Sequence, residues 1–196
     1  MRTAIFGGTF DPIHSAHLEM ARRAADQYWL DRVLFIPAGN PPHKHAEASF
    51  EDRYCMVELA CAAEPCFVAS RLEEGVGKSY SIDTIERVKA ENADTNSLLF
   101  FIIGSDAFAE IQTWRRWEDV IRAVEFIVVA RPGHDIAGPP GARVHRLESV
   151  ELPISSSDIR DALARGESPA ELPPAIANYI RAHRLYVAAR YRTLGP

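Results

Sequence analysis

The sequence predicts an α/β fold: a doubly wound, mostly parallel sheet in the order 3-2-1-4-5, with a sixth strand beyond it and a C-terminal helical segment. Three observations predict it. Short apolar stretches alternate with amphipathic ones of helical period along the chain. LLFFII (98–103) is apolar throughout, as a central strand covered by helices on both faces should be. The connections between strands are long enough to carry right-handed crossovers.

The elements follow in order. TAIF (3–6) reads as a short buried strand, and SAHLEMARRAADQYWL (15–30) as a helix with apolar positions at Leu18, Ala21, Ala25 and Tyr28. RVLFIPAG (32–39) is the second strand. Ser49 with Asp52 three residues on is a capping-box spacing that opens a helix through Ala63. CFVAS (66–70) is the third strand, SIDTIERVKAE (81–91) the third helix and LLFFII the fourth strand. RRWEDVIRA (115–123) gives a helix, FIVVA (126–130) the fifth strand and RVHRL (143–147) the sixth. PGHDIAGPPGA (132–142) reads as a surface loop. Ser155 and Asp158 repeat the capping-box spacing, and the helix they open ends at Gly166, a residue suited to the left-handed position after a helix. PPAIANYIRAHRLYV (173–187) closes the chain as a helix with prolines in its first turn. Residues 1–196 then form one domain, with 188–196 as a tail.

Composition narrows the function. Hydrophobic residues at 47% and charged ones at 25% are the balance of a globular protein. A net charge of −5 argues against a general nucleic-acid binder, which needs a basic excess, but leaves room for a local anion site. No apolar run approaches the roughly 20 residues that span a bilayer, and the first residues do not form a signal peptide. Cys55, Cys61 and Cys66, an odd number in apolar company, read as free buried thiols of a cytoplasmic protein with no membrane partner, a disulfide or a metal site being the alternatives.

The chemistry-bearing motifs fall where strands end or helices begin. In GGTFDPIHSAH, Gly7 and Gly8 allow close approach to a phosphate and unusual backbone conformations, and the amides near Thr9 and Phe10 can donate to anionic oxygens. By itself the pair of glycines is equally a tight turn. His14 and His17 stand at the start of the first helix, where the dipole favours anions and imidazoles can donate to phosphoryl oxygens. Surface histidines or a zinc site are the alternatives. In NPPHKH (40–45), a rigid loop carries Asn40, His43 and Lys44, the lysine offering a point charge. Gly104 and Asp106 follow the fourth strand, with Trp114 able to stack on a flat ring or to pack in the core. Ser81 and Thr84 place hydroxyls at a helix start, where they can also be caps. In ISSSDIR (154–160), Ser155, Ser156 and Arg160 can form a phosphate clamp at a helix N-terminus. If the first strand neighbours the fourth, these motifs meet at one crevice beyond the carboxyl ends of the strands.

Taken together, the motifs carry a resemblance. GGTFDPIHSAH resembles the (H/T)xGH signature of the nucleotidyltransferase superfamily. With NPPHK, SYSIDT, GSD with a downstream Trp, and ISSSDIR in family order, the chain is similar, from Ile5 to about Val187, to the bacterial nicotinate-nucleotide adenylyltransferases. Ala16 stands where the family usually has Gly, and Ser81 where many relatives carry Thr. The resemblance implies a Rossmann-like fold and adenylyl transfer from ATP, with Mg²⁺, to nicotinate mononucleotide. It also implies that His14 and His17 contact the ATP phosphates, with Gly7, Gly8, Thr9 and Phe10 shaping the nucleotide pocket. Ser155, Ser156 and Arg160 would hold the outer phosphates, Arg131 would lie near the adenosine, and Gly104 and Asp106 would sit between the nucleotides. Lys44, with Asn40 and His43, would take the mononucleotide phosphate, and Ser81, Thr84 and Trp114 would surround the pyridine. The catalytic set is then His14, His17 and Arg160, the partners are small-molecule nucleotides, and a homo-oligomer is left open. On the residues alone the acceptor stays open between nicotinate mononucleotide, nicotinamide mononucleotide and another phosphate ester. A non-catalytic nucleotide sensor and a structural zinc protein are the readings from other classes.

Overall fold

The computed structural model describes residues 1–40, 46–75, 77–91, 97–131, 133, 135–136, 138–148 and 155–187. Its centre is a sheet of six parallel strands, β1 (Arg2–Gly8), β2 (Arg32–Pro37), β3 (Phe67–Ala69), β4 (Leu98–Gly104), β5 (Glu125–Ala130) and β6 (Val144–Glu148). They lie in the order β3-β2-β1-β4-β5-β6, the predicted order with the sixth strand added at the far edge. Between them run α1 (Ser15–Tyr28), α2 (Phe50–Cys61), α3 (Ser81–Glu91), α4 (Ser105–Ala109) and α5 (Trp117–Ala123), and after β6 come α6 (Ser156–Ala164) and α7 (Pro174–Ala182).

Alternation along the strands explains why they read as continuous apolar runs. Ala4, Phe6, Phe35, Phe100, Ile102, Ile127 and Val129 face one core, shared with Leu18, Met56, Ile159 and Ile176 of the helices on that side. Ile5, Leu34, Ile36, Phe101, Ile103, Phe126 and Val128 face a second core, closed by Ile82, Ile85, Phe108 and Val120. Both faces are therefore covered, the condition for a parallel sheet.

Several boundaries moved for identifiable reasons. Trp29 takes a left-handed conformation (φ 47°) and stops α1 two residues before the predicted end. Arg116 (φ 52°) delays α5 to Trp117. The last helix is shorter than predicted: α7 stops at Ala182, and Arg184 and Tyr186 both have positive φ, so His183–Val187 turns back on the body of the protein. Both predicted capping boxes place serine at the cap, Ser49 accepting from the Asp52 amide and Ser155 from the Asp158 amide. Gly166 has φ 80°, as its position after α6 requires. The segment after β5 is not wholly superficial, since Pro139 is buried and Ile136 and Ala142 pack against the second core. Of the three free cysteines only Cys61 is buried; Cys55 and Cys66 are half-buried.

The chain leaves β1 toward β2 and β3, then returns to lay β4 against the other side of β1, with Ile5 opposite Phe101. That reversal opens a crevice above the carboxyl ends of β1 and β4.

Candidate active site

The ends of β1 and the turn after it form the floor of this crevice. Gly7 and Gly8 are still strand residues, paired with Ile36 and Pro37. Neither has positive φ, so the conformational freedom expected of the glycines is not what the turn uses. Gly8 is needed for space: a Cβ there would stand 2.9 Å from Cε1 of the Phe10 ring. The unusual conformation falls instead on Phe10 itself (φ 49°), a strained choice for a bulky residue. It is held because the ring is 2% exposed and packs edge-on against Phe6, with centroids 5.7 Å apart. The Asp11–Pro12 peptide that follows is cis.

His14 caps α1 and is 4% exposed. Its amide donates to Nδ1 of His17 at 3.3 Å, which leaves Nε2 as the protonated nitrogen of a neutral His17 ring. The two rings lie 3.8 Å apart. The His17 amide bonds the His14 carbonyl (3.0 Å) rather than the ring, so Nδ1 of His14 is buried without a hydrogen bond. Burial lowers the His14 pKa from 6.5 to about 4, so the free protein presents a neutral imidazole at pH 7. The unfolded chain takes up that proton first, so stability is lost as pH falls from 6.5 toward 4. An anion arriving beside the ring reverses the shift. By NMR, His14 should titrate near pH 4 in the free protein and at higher pH with ATP bound. An unmoved titration would place the phosphates elsewhere.

Behind the turn lies a polar network that the motifs did not reveal. Asp11 is 2% exposed and accepts from the Glu47 amide (2.7 Å), the Ala48 amide (3.1 Å) and the Tyr186 hydroxyl (2.7 Å). Burial first, and then the Asp11 carboxylate, hold the Tyr186 phenol well above its usual range, so it remains a donor. Arg53, also 2% exposed, donates Nη1 to the Thr9 carbonyl (2.7 Å) and Nη2 to the Ala38 carbonyl (2.8 Å). It thereby joins the ends of β1 and β2. Burial pulls its pKa down, the Asp11 charge opposes this, and the guanidinium stays charged at neutral pH.

The predicted phosphate clamp comes to the same place. The Ser156 hydroxyl donates to the Pro12 carbonyl (3.0 Å), and Arg160 donates Nη1 to the Asp11 carbonyl (2.8 Å) and Nε to Glu47 (2.7 Å). Ser155 is occupied as the cap, its hydroxyl 2.7 Å from the Asp158 carboxylate. The start of α6 is thus fastened to the turn carrying the histidines.

On the other side of the crevice, Gly104 ends β4 and caps α4, and Asp106 is exposed one residue inside that helix. Arg131 is exposed just past β5. Trp114 is half-buried, edge-on to Phe101 with centroids 6.0 Å apart, so it serves the core with one edge. Ser81 begins α3 half-exposed. Thr84 is buried: its hydroxyl donates to Glu73 (2.5 Å) and its amide to the Tyr80 carbonyl (3.2 Å), so neither polar hydrogen is spare for a ligand. Glu73, itself 8% exposed, also accepts from the Gly39 amide (3.3 Å) and links the end of β2 to α3. Asn40 donates to the Gly77 carbonyl (2.5 Å). His43 and Lys44 lie outside the described residues. Among the described residues, no three His, Cys, Asp or Glu side chains gather as a metal would need, and no helix is long and apolar enough to cross a membrane.

Arg53 was legible in principle. With Met56, Val57, Ala60 and Cys61 it occupies the buried stripe of α2, a place where a charge demands a partner. Asp11 had no such signal, and Tyr186 was hidden by the overlong last helix.

Comparison with known proteins follows the same lines. A family model described as cytidylyltransferase-like matches residues 5–162. A relative named probable nicotinate-nucleotide adenylyltransferase, from Solibacter usitatus, is 57% identical over 188 residues, covering 95% of this chain and all of the relative. One of the same name from Citrifermentans bemidjiense is 44% identical over 219 residues, covering 97% and 100%. Among solved structures, the nicotinic acid mononucleotide adenylyltransferase of Plasmodium falciparum complexed with NaAD superposes with a TM-score of 0.78. It shares 21% identity, over 94% of this chain and 97% of that one.

Proposed function

The chain belongs to the cytidylyltransferase-like family, and from that premise we propose that it transfers the adenylyl group of ATP to nicotinate mononucleotide, giving nicotinate adenine dinucleotide and pyrophosphate. One observation carries the reading. In a chain matching relatives of that name along their whole length, the His14–His17 pair stands on the first turn of α1 at the β1–β4 crevice.

The mononucleotide phosphate attacks the α-phosphorus of ATP in line, and pyrophosphate leaves. Such a displacement needs positioning and charge stabilisation rather than a covalent intermediate. His14 and His17 meet the charge that develops on the phosphates. Gly7 and Gly8 make room, and Thr9 and Phe10 shape the pocket. Arg160 holds the outer phosphates with the start of α6 at Ser155 and Ser156, whose hydroxyls must leave Asp158 and the Pro12 carbonyl to take part. Arg131 lies by the adenosine, with Gly104 and Asp106 between the two nucleotides. Lys44, with Asn40 and His43, takes the acceptor phosphate. Ser81 and Trp114 border the pyridine, and Thr84 supports them through Glu73. Mg²⁺ fits as an ion carried by the ATP phosphates and its own waters, since it needs no cage of protein carboxylates and none is gathered here among the described residues. When bound it neutralises phosphate charge. The enzyme acts as one domain on small nucleotides in the cytoplasm.

Acceptor choice follows from α3. In α3 the Asp83 and Thr84 amides already donate to the Tyr80 carbonyl (3.0 and 3.2 Å), so the Ser81 and Ile82 amides, at the positive dipole end, are the ones that favour the carboxylate of nicotinate over the amide of nicotinamide. Pyrophosphate release with ATP and Mg²⁺ should give a higher kcat/KM with nicotinate mononucleotide. Equal or greater efficiency with the amide would overturn the assignment.

A further inference from the structure

We propose that Glu47 is the internal counter-ion of Arg160 in the nucleotide-free enzyme, and that the outer phosphates of ATP displace it. Glu47 thereby sets how tightly the triphosphate binds. The inference rests on the assignment of Arg160 to those phosphates.

Each nitrogen of the Arg160 guanidinium already has a partner. Nε donates to the Glu47 carboxylate at 2.7 Å, Nη1 to the Asp11 carbonyl at 2.8 Å and Nη2 to the Ser157 hydroxyl at 3.3 Å. The Asp11 carboxylate adds a second negative group, its Oδ2 4.0 Å from Nη1. Two of these contacts belong to fixed parts of the fold: Asp11 is buried, and Ser157 lies in the first turn of α6. The Glu47 side chain does not. It is 60% exposed against 20% for Arg160, and among the described residues its carboxylate has no other partner. Its backbone, by contrast, is pinned, because the Glu47 amide donates to Asp11 at 2.7 Å. The carboxylate can therefore swing off Arg160 while the chain beneath it stays in place.

A carboxylate seated on Nε presents two anionic oxygens where a phosphate would present its own. The two compete for the same donor, and the loser returns to water. Removing the carboxylate charge removes the competitor without touching Asp11, Arg160 or the helix. The competition is worth no more than an exposed ion pair, which bounds the gain at about two- to fivefold. Since the pair is open to solvent, salt weakens it.

The test is calorimetric titration of the whole protein and of two variants, Glu47→Gln and Arg160→Met, with ATP plus Mg²⁺, with tripolyphosphate and with adenosine. E47Q should bind ATP and tripolyphosphate about two- to fivefold more tightly than the parent, with adenosine unchanged and the gain fading at high ionic strength. R160M should bind both phosphate ligands more weakly. Unchanged affinity in E47Q alongside weakened binding in R160M overturns the counter-ion role alone. Unchanged phosphate affinity in both overturns it together with the assignment of Arg160. Tighter adenosine binding in E47Q also overturns it, since the effect would then lie outside the phosphates.

Discussion

His17→Ala is expected to lower turnover by about 10²-fold or more while ATP still binds, the loss that follows removal of one preorganised donor to developing charge. The geometry makes His17 the sharper of the two histidines to test. The His14 amide bonds its Nδ1, which fixes the tautomer with the proton on Nε2. Its ring is held edge-on by Phe10, with centroids 5.2 Å apart, and by Phe6 at 6.0 Å. An orientation fixed before substrate arrives costs nothing to reorganise during the reaction. Two further variants separate the donor from the packing. His17→Gln keeps an N–H near the position of Nε2 and should recover part of the loss; His17→Asn keeps polarity only near Nδ1 and should not. Single-turnover rates with ATP in excess read the chemical step. An unchanged rate in H17A removes His17 from the mechanism.

Arg53→Met should destabilise the protein by about 3–5 kcal/mol, the range for removing one partner from a buried, hydrogen-bonded charge network. Methionine fills much of the volume, so the loss is electrostatic rather than a cavity. It strips the Thr9 and Ala38 carbonyls of their donors and removes one of the two guanidinium charges near the buried Asp11, leaving that of Arg160. For a chain of this size, a change of 3 kcal/mol lowers Tm by about 6–12 °C. Arg53→Lys retains the charge but cannot span both carbonyls, so it should fall between the two. A Tm within about 2 °C of the parent for R53M would show that water replaces the guanidinium without penalty.

The fold was more legible than the site because its signals are periodic. The unbroken run of Leu98–Ile103 marked a strand covered on both sides, and the alternation of its side chains between two cores bears that out. The capping serines at Ser49 and Ser155 located two helix starts, since a cap is a local bond that needs no tertiary partner. What the motifs could not convey was how each residue is used. The glycine pair suggests freedom of φ, whereas the structure uses Gly8 for room and puts the strain on Phe10, whose ring packs against Phe6 and, from 25 residues away, Phe35. The Thr84 hydroxyl, available by its place at a helix start, is spent on Glu73, eleven residues away in sequence. The Asp11–Tyr186 bond joins residues 175 positions apart, and no window of sequence contains both.

That bond also bears on when the molecule becomes whole. In a chain elongating from its amino end the histidine turn is made first, and the carboxylate under it waits for a phenol that follows 175 residues later. Contacts of such long sequence separation are slow to form, because the chain between must be ordered before they reward it. The sheet can assemble while the carboxylate is still one hydrogen bond short. A protein arrested or clipped ahead of residue 186 would then keep its strands and its histidines and lack the bond that holds the turn from below.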